Sequence, residues 1–228
     1  MARAQRRSML VAIMAAALAV APLAQAKTAA WPDDFLTRVE AQALVQTLNG
    51  EFLATRSATV TLEKWCGEHH LSGKAPAVIK AHLIRGAVKV ATAEQRQRLK
   101  VGPDDKINYR RVQLVCGDQI LSEADNWYVP SRLTPEMNQL LETTDMPFGK
   151  AVHDLHFYRQ TFAAKVLWWP LAEDWETKPV PAAGGGTLTV PHALFEHRAL
   201  LFTKEGMPFS EVRETYQRTL LDMPLPRP

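Results

Sequence analysis

The chain has 228 residues, of which 46% are apolar and 22% charged, and a formal net charge of +3. Arg3, Arg6 and Arg7 account for that whole excess, so +3 less 3 leaves zero on residues 27 to 228. A balance of this kind excludes broad nucleic-acid binding, which needs a concentrated Lys/Arg face to displace counterions, and the small group Arg96, Arg98 and Lys100 reads as a solvated helix face.

Residues 1 to 26 have the layout of a secretory signal peptide: a basic head, an apolar run from Met9 to Ala21, and Ala24-Gln25-Ala26 as a small-x-small cleavage site. The rival, a retained anchor, is disfavoured because the run falls short of the roughly 20 residues that span a bilayer. Arg6-Arg7 also suits twin-arginine export. The expected product is a periplasmic or secreted chain of residues 27 to 228, one domain with no stable membrane span. Cys66 and Cys116 are the only cysteines, and in an exported chain they form either one disulfide or two buried thiols.

From Asp33 or Asp34 as a cap, Phe35, Val39, Leu44 and Leu48 recur at helical spacing up to Asn49-Gly50, a break or a short turn. Glu51 to Thr55 is a short helical or extended piece. Ser57 to Glu63 alternates at period two with β-branched residues and predicts a strand. Cys66-Gly67-Glu68-His69-His70 holds zinc-ligating residue types, but adjacent histidines do not share a strand face and no second cluster follows. It reads as a polar loop beside a structural cysteine, with no metal expected. Ala77 to Val90 predicts a strand broken or extended at Gly86, and Ala93 to Leu99 a short helix or loop.

Asn108 to Cys116 and Gln119 to Val129 predict an antiparallel hairpin, because a link as short as Gly117-Asp118 cannot cross over. Thr134-Pro135-Glu136 has the cap-then-proline chemistry of a helix start, with Met137, Leu140 and Leu141 as its buried stripe and Asp145 to Gly149 as the turn out. The tryptophans closing Val152 to Trp169 could line a pocket, although large aromatics are more often core or surface cover. Ala172 to Gly186 reads as an irregular surface loop. Phe195 to Phe202 predicts a strand, Gly206 a hinge, and Ser210 to Gln217 a strand or a helix.

The order of these elements resembles the chorismate lyase family and the related UTRA ligand-binding domains. Leu48 to Thr61 looks like the family's early helix and first strand, and Tyr109-Arg110-Arg111-Val112 its arginine-headed strand. Trp127-Tyr128-Val129-Pro130 resembles the second hairpin strand. Thr144 to Gly149 resembles its Thr-x-Pro-Leu-Gly turn, and Gly206 to Tyr216 the closing Gly-x-Pro hairpin with a glutamate on the returning strand.

The resemblance implies an α+β fold: a single antiparallel sheet of about six strands with helices packed on it and helical flaps over a buried site. It implies a carbon-oxygen lyase that removes pyruvate from chorismate to leave 4-hydroxybenzoate without metal or organic cofactor, or a protein acting on a related aromatic acid. By position, Arg111 would pair with the carboxylate of the ligand, Phe148 would offer it a backbone amide, and Glu214 would serve as hydrogen-bond partner or acid/base near the ring hydroxyl. Bidentate guanidinium–carboxylate pairing in a dry pocket suits that chemistry. Glu214 stands one residue further from Pro208 than the family spacing, so either a bulge is present or Arg213 takes that place. Asp125-Asn126 stands where many members have a Gly-Arg or Gly-His pair. The alternatives are a non-catalytic periplasmic module for a small carboxylated aromatic ligand, or an envelope protein that docks partners through Trp168, Trp169 or Trp175.

Overall fold

The computed structural model describes residues 30 to 73 and 75 to 225, and the expected signal peptide lies outside them. Helix α1 (Phe35–Ala54) begins where the Asp34 side chain accepts from the Thr37 N–H at 2.7 Å. It runs straight through Asn49-Gly50 instead of breaking there. Leu48 and Phe52, one turn apart on its buried stripe, hold the last turns against the core, which offsets the roughly 1 kcal/mol a helical glycine costs.

Helix α2 (Ala58–Glu68) occupies the segment that the period-two alternation assigned to a strand, and the Cys66–His70 segment assigned to a loop forms its end. The buried residues explain both corrections. They are Ala58, Thr59, Thr61, Leu62, Trp65 and Cys66, a helical stripe that only becomes visible when the window extends past Glu63. Tertiary burial of Leu62 and Trp65 overrides the β preference of Thr59, Val60 and Thr61. His69 closes this helix with its ring 3.9 Å from that of Trp65.

Strand β1 (Ile79–Leu83) is shorter than the apolar run around it, and Gly86 follows in an irregular segment. Helix α3 (Ala93–Arg98) starts with a reciprocal capping box between Thr92 and Gln95. Strands β2 (Asn108–Cys116) and β3 (Gln119–Tyr128) form the expected hairpin. Its turn demands glycine: Gly117 has φ +58°, and a Cβ there would meet the Ser72 Cβ at 3.1 Å. Helix α4 (Pro135–Thr143), capped by Thr134, leads to the single turn of α5 (Phe148–Ala151). Strand β4 (Tyr158–Val166) precedes the irregular stretch of residues 172 to 186, and β5 (Ala193–Phe202) and β6 (Pro208–Gln217) close the chain as a hairpin around Gly206 at φ +83°.

The six strands make one antiparallel sheet in the order β1-β2-β3-β6-β5-β4, so the fold is α+β, a single antiparallel sheet with helices packed on it. Side-chain alternation gives the sheet two different faces. The inner face carries Val112, Leu114, Ala124, Ala199, Val212 and Tyr216 into the main core, where Phe52 of α1 lies 4.1 Å from Tyr216, ring to ring. The outer face carries Tyr109, Arg111, Glu123, Asp125, Trp127, Glu211 and Arg213, and α3 straps one end of it through Arg98 and Glu211.

Cys66 of α2 and Cys116 of β2 are joined by a disulfide, with Cα atoms 6.6 Å apart. It pins the helix layer to the sheet at the point where the hairpin turns. Among the described residues, no helix is long and apolar enough to cross a membrane.

Candidate functional site

A cavity partly open to solvent lies on the inner face of the sheet. Strands β2, β3 and β6 supply its floor with Arg110, Val112, Leu114, Ala124, Asn126, Val212 and Glu214, and Leu201 and Arg159 continue it across β5 and β4. Its roof is the start of α2 at Arg56 to Thr59, the first residues of α5, Phe148 and Gly149, and Phe157. Most of this lining is apolar, with a few polar groups converging from different strands, the usual composition of a small-molecule site.

Four of those polar groups are buried: Arg110 and Asn126 are each 4% exposed, Glu214 5%, and the Arg159 side chain 5%. Arg159 Nη2 donates to Glu214 Oε2 at 2.6 Å, and the Tyr216 hydroxyl donates to the same oxygen at 3.1 Å. Burial alone would lower the pKa of Arg159, but the facing Glu214 carboxylate and Tyr216 outweigh it, and the pKa is raised. Burial raises that of Tyr216, with Glu214 acting in the same direction, so its hydroxyl is held as a donor. Asn126 Oδ1 accepts from Ser210 Oγ at 2.5 Å, which fixes the amide's orientation.

Arg110 is different. Its Nη2 donates to the Met146 carbonyl at 3.0 Å, its Nε has no hydrogen-bond partner, and among the described residues no carboxylate pairs with it. Burial lowers its pKa, the signature of a cation short of compensation. Counting the buried ionic groups, Arg159 and Glu214 cancel and Arg110 remains. The buried part of the lining therefore carries one uncompensated positive charge, in addition to the exposed Arg56, and a guanidinium's natural complement is a planar anion.

Of the residues singled out in the sequence, Glu214 and Phe148 line this cavity and Arg111 does not. Arg111 lies on the outer face, 38% exposed, where Nη2 meets Glu123 Oε2 at 3.3 Å. The reason is the strand period: Arg110, Val112 and Leu114 point inward together, and a slip of one residue sends the side chain through to the other side of the sheet. Arg110, and not Arg111, is the arginine of this pair that faces the cavity. The surplus residue before Glu214 is absorbed by a bulge: Leu201 pairs with Ser210 and Phe202 with Pro208, leaving Phe209 as the extra residue. That register puts Glu214 inward opposite Ala124 and Arg213 outward opposite Asp125.

Phe148 opens the one-turn α5 with its ring 5.6 Å from Tyr128 and 6.3 Å from Phe209. Trp168 and Trp169 are absent from the lining, and Trp169 is 61% exposed. Arg159 and Arg56 carry no local signal: one sits in a strand of mixed exposure and the other in a connector, and only the tertiary arrangement brings them to the cavity.

Fold and site together define an α+β protein with a partly enclosed cavity suited to a small anion. The chain belongs to the family of the uncharacterized protein y4mC of Sinorhizobium fredii (strain NBRC 101917 / NGR234), to which it is 46% identical over 218 residues, covering 94% of this chain and 92% of that one. No protein-family model matches it. Solved structures that are similar include PhnF from Mycobacterium smegmatis, at 9% identity and TM-score 0.45, covering 73% of this chain and 65% of that one. The ligand-binding domain of a putative GntR-family transcriptional regulator from Bordetella bronchiseptica is 15% identical with TM-score 0.40, covering 61% of this chain and 83% of that one. The possible transcriptional regulator YydK from Bacillus subtilis is 17% identical with TM-score 0.40, covering 66% of this chain and 62% of that one.

Proposed function

We propose that the chain binds a small carboxylated aromatic molecule in the inner-face cavity, with the ligand carboxylate on Arg110. The observation that carries this reading is a buried guanidinium with an unpartnered Nε and no carboxylate of its own, set among apolar side chains. Leaving such a charge unpaired is costly, and an incoming carboxylate removes the cost while the apolar floor takes up the ring. Phe148 and Phe157 at the roof offer aromatic surface to it. Isothermal titration of purified protein with 4-hydroxybenzoate tests this. Binding that disappears in Arg110→Ala and persists in Arg111→Ala is the expected result, and no binding by the wild type overturns it.

A second reading, pyruvate elimination from chorismate, is favoured by one observation: the Glu214 carboxylate sits in the same cavity, held by Arg159 and Tyr216 through a single oxygen. In that reaction a proton leaves the ring carbon that bears the hydroxyl, the enolpyruvyl ether bond breaks, and the ring becomes aromatic as 4-hydroxybenzoate while the enol becomes pyruvate. Glu214 is the acid/base group available for it. Coupled detection of pyruvate separates the readings: release by wild type but not by Glu214→Gln supports the lyase, and binding without release leaves a binding module.

The export expected from residues 1 to 26 belongs to the same proposal. A disulfide between Cys66 and Cys116 supports it, because such bonds persist in oxidising compartments. Cell fractionation of the tagged full chain checks it; recovery of uncleaved protein from the cytosol would count against it.

A further inference from the structure

The strand period divides the adjacent pair Asp125-Asn126 of β3 between the two faces of the sheet. Asp125 points outward, where Tyr109 and Lys89 donate to its carboxylate. Asn126 points inward, is 4% exposed and lines the cavity. It stands in register between Arg110 of β2 and Val212 of β6. Direct cross-strand partners on one face have Cβ atoms about 5 Å apart, so the amide and the guanidinium rise from the cavity floor as neighbours.

Ser210 sets the direction of that amide. It is fully buried on β6 and lies outside the cavity lining, and among the described residues its hydroxyl has a single acceptor, Asn126 Oδ1 at 2.5 Å. A buried hydroxyl needs an acceptor for its proton, so Oδ1 turns to Ser210 and Nδ2 turns away from it. Nδ2 makes no hydrogen bond among the described residues. The floor thus presents donors from two strands side by side, a charged one on Arg110 and a neutral one on Asn126. A carboxylate, with two accepting oxygens and no donor, complements both at once. A carboxamide of the same shape brings an NH2 group that must face one of the two donors.

Resting on the proposed function, we infer that Asn126 is a specificity-determining residue of the carboxylate seat: one ligand oxygen accepts from Arg110 and the other from Asn126 Nδ2, so the site selects an acid over the isosteric amide. Ser210 is the positioning residue that holds Asn126 in that orientation.

Isothermal titration of the purified full chain with 4-hydroxybenzoate and 4-hydroxybenzamide tests this in wild type, Asn126→Ala and Asn126→Asp. Wild type should bind the acid at least about tenfold tighter than the amide. Asn126→Ala removes the donor, and the ratio of acid to amide affinity should fall at least about fivefold. Asn126→Asp puts an acceptor in its place, so the ratio should fall further and the amide should gain affinity outright, which mere damage to the fold does not produce. If wild type binds the acid but shows no preference for it, or if the ratio falls less than about fivefold in Asn126→Ala, this inference fails and binding in the cavity stands. A ratio that falls no further in Asn126→Asp also overturns it; should that variant bind neither compound, Asn126→Ala decides alone. If wild type does not bind the acid, this inference and the proposed function both fail.

Discussion

Arg159 Nη2 and Glu214 Oε2 meet at 2.6 Å across three strands of the sheet, with 5% and 7% of their side chains exposed. The pair is the electrostatic anchor of the cavity, because it neutralises one of the two buried arginines in the lining. Removing a single partner strands a desolvated charge, which costs about 3–5 kcal/mol for a buried pair. Arg159→Met and Glu214→Leu should therefore each lose stability of that order in urea unfolding. The double replacement should recover most of it, since two apolar groups leave no charge behind. Additive losses in the double variant would show that the two side chains are not energetically coupled.

Arg110 and Arg111 should separate cleanly. Arg110→Met removes a buried cation with no carboxylate partner, so the ligand-free protein should gain about 1 kcal/mol while losing its response to 4-hydroxybenzoate. Arg111→Met breaks a half-exposed pair with Glu123 and should change stability by less than about 1 kcal/mol, with ligand binding intact. Thermal melts with and without 4-hydroxybenzoate read both effects at once. A ligand response lost from the Arg111 variant and kept by the Arg110 variant would reverse the assignment of the two faces.

These two residues also show where the sequence is legible. The hairpin from Asn108 to Tyr128, the capped helix after Thr134 and the strand from Phe195 to Phe202 could be read because turn chemistry and period agree locally. The choice between Arg110 and Arg111 was legible in the same way, since Val112 and Leu114 share the parity of Arg110. A positional match to a family pattern selects Arg111, which the structure puts on the outer face, because such a match carries no information about which face is buried. The helix at Ala58–Glu68 was hidden by three β-branched residues in its first turn, and only burial of Leu62, Trp65 and Cys66 decides it. Arg159 was not legible at all. Its role depends on β4 joining the sheet next to β5, and no short-range signal encodes that.

The disulfide closes a loop with a sequence separation of 50, which in the chain-entropy account restricts the unfolded state by about 4 kcal/mol. Cys66→Ala with Cys116→Ala should lower stability by about 2–4 kcal/mol, because small apolar side chains keep the fully buried sites dry. Denaturant unfolding under oxidising and reducing conditions checks it: reduction should shift the wild-type midpoint and leave that of the double variant in place.

His197 gives the fold a graded sensitivity to acid. The ring is fully buried, with Nε2 2.8 Å from Asn49 Oδ1, no partner on Nδ1, and Phe52, Phe195 and Tyr216 around it. Burial pulls its pKa from 6.5 down to about 4, with Glu214 opposing that shift and Arg159 reinforcing it. The sign follows from which state binds the proton. Between about pH 6.5 and 4 the unfolded chain holds a proton on this histidine and the folded chain does not. The neutral, buried ring therefore costs nothing above that window, and stability falls as the pH drops through it. For this shift the loss between pH 7.5 and pH 5 is about 2 kcal/mol. His197→Phe should flatten that part of the profile, leaving the acid-range slope to the carboxylates with lowered pKa values, such as Asp125 and Asp145, which act at lower pH. Urea unfolding at half-unit steps from pH 7.5 to 5 measures it, and an equal slope in wild type and His197→Phe would show that the proton is taken up elsewhere.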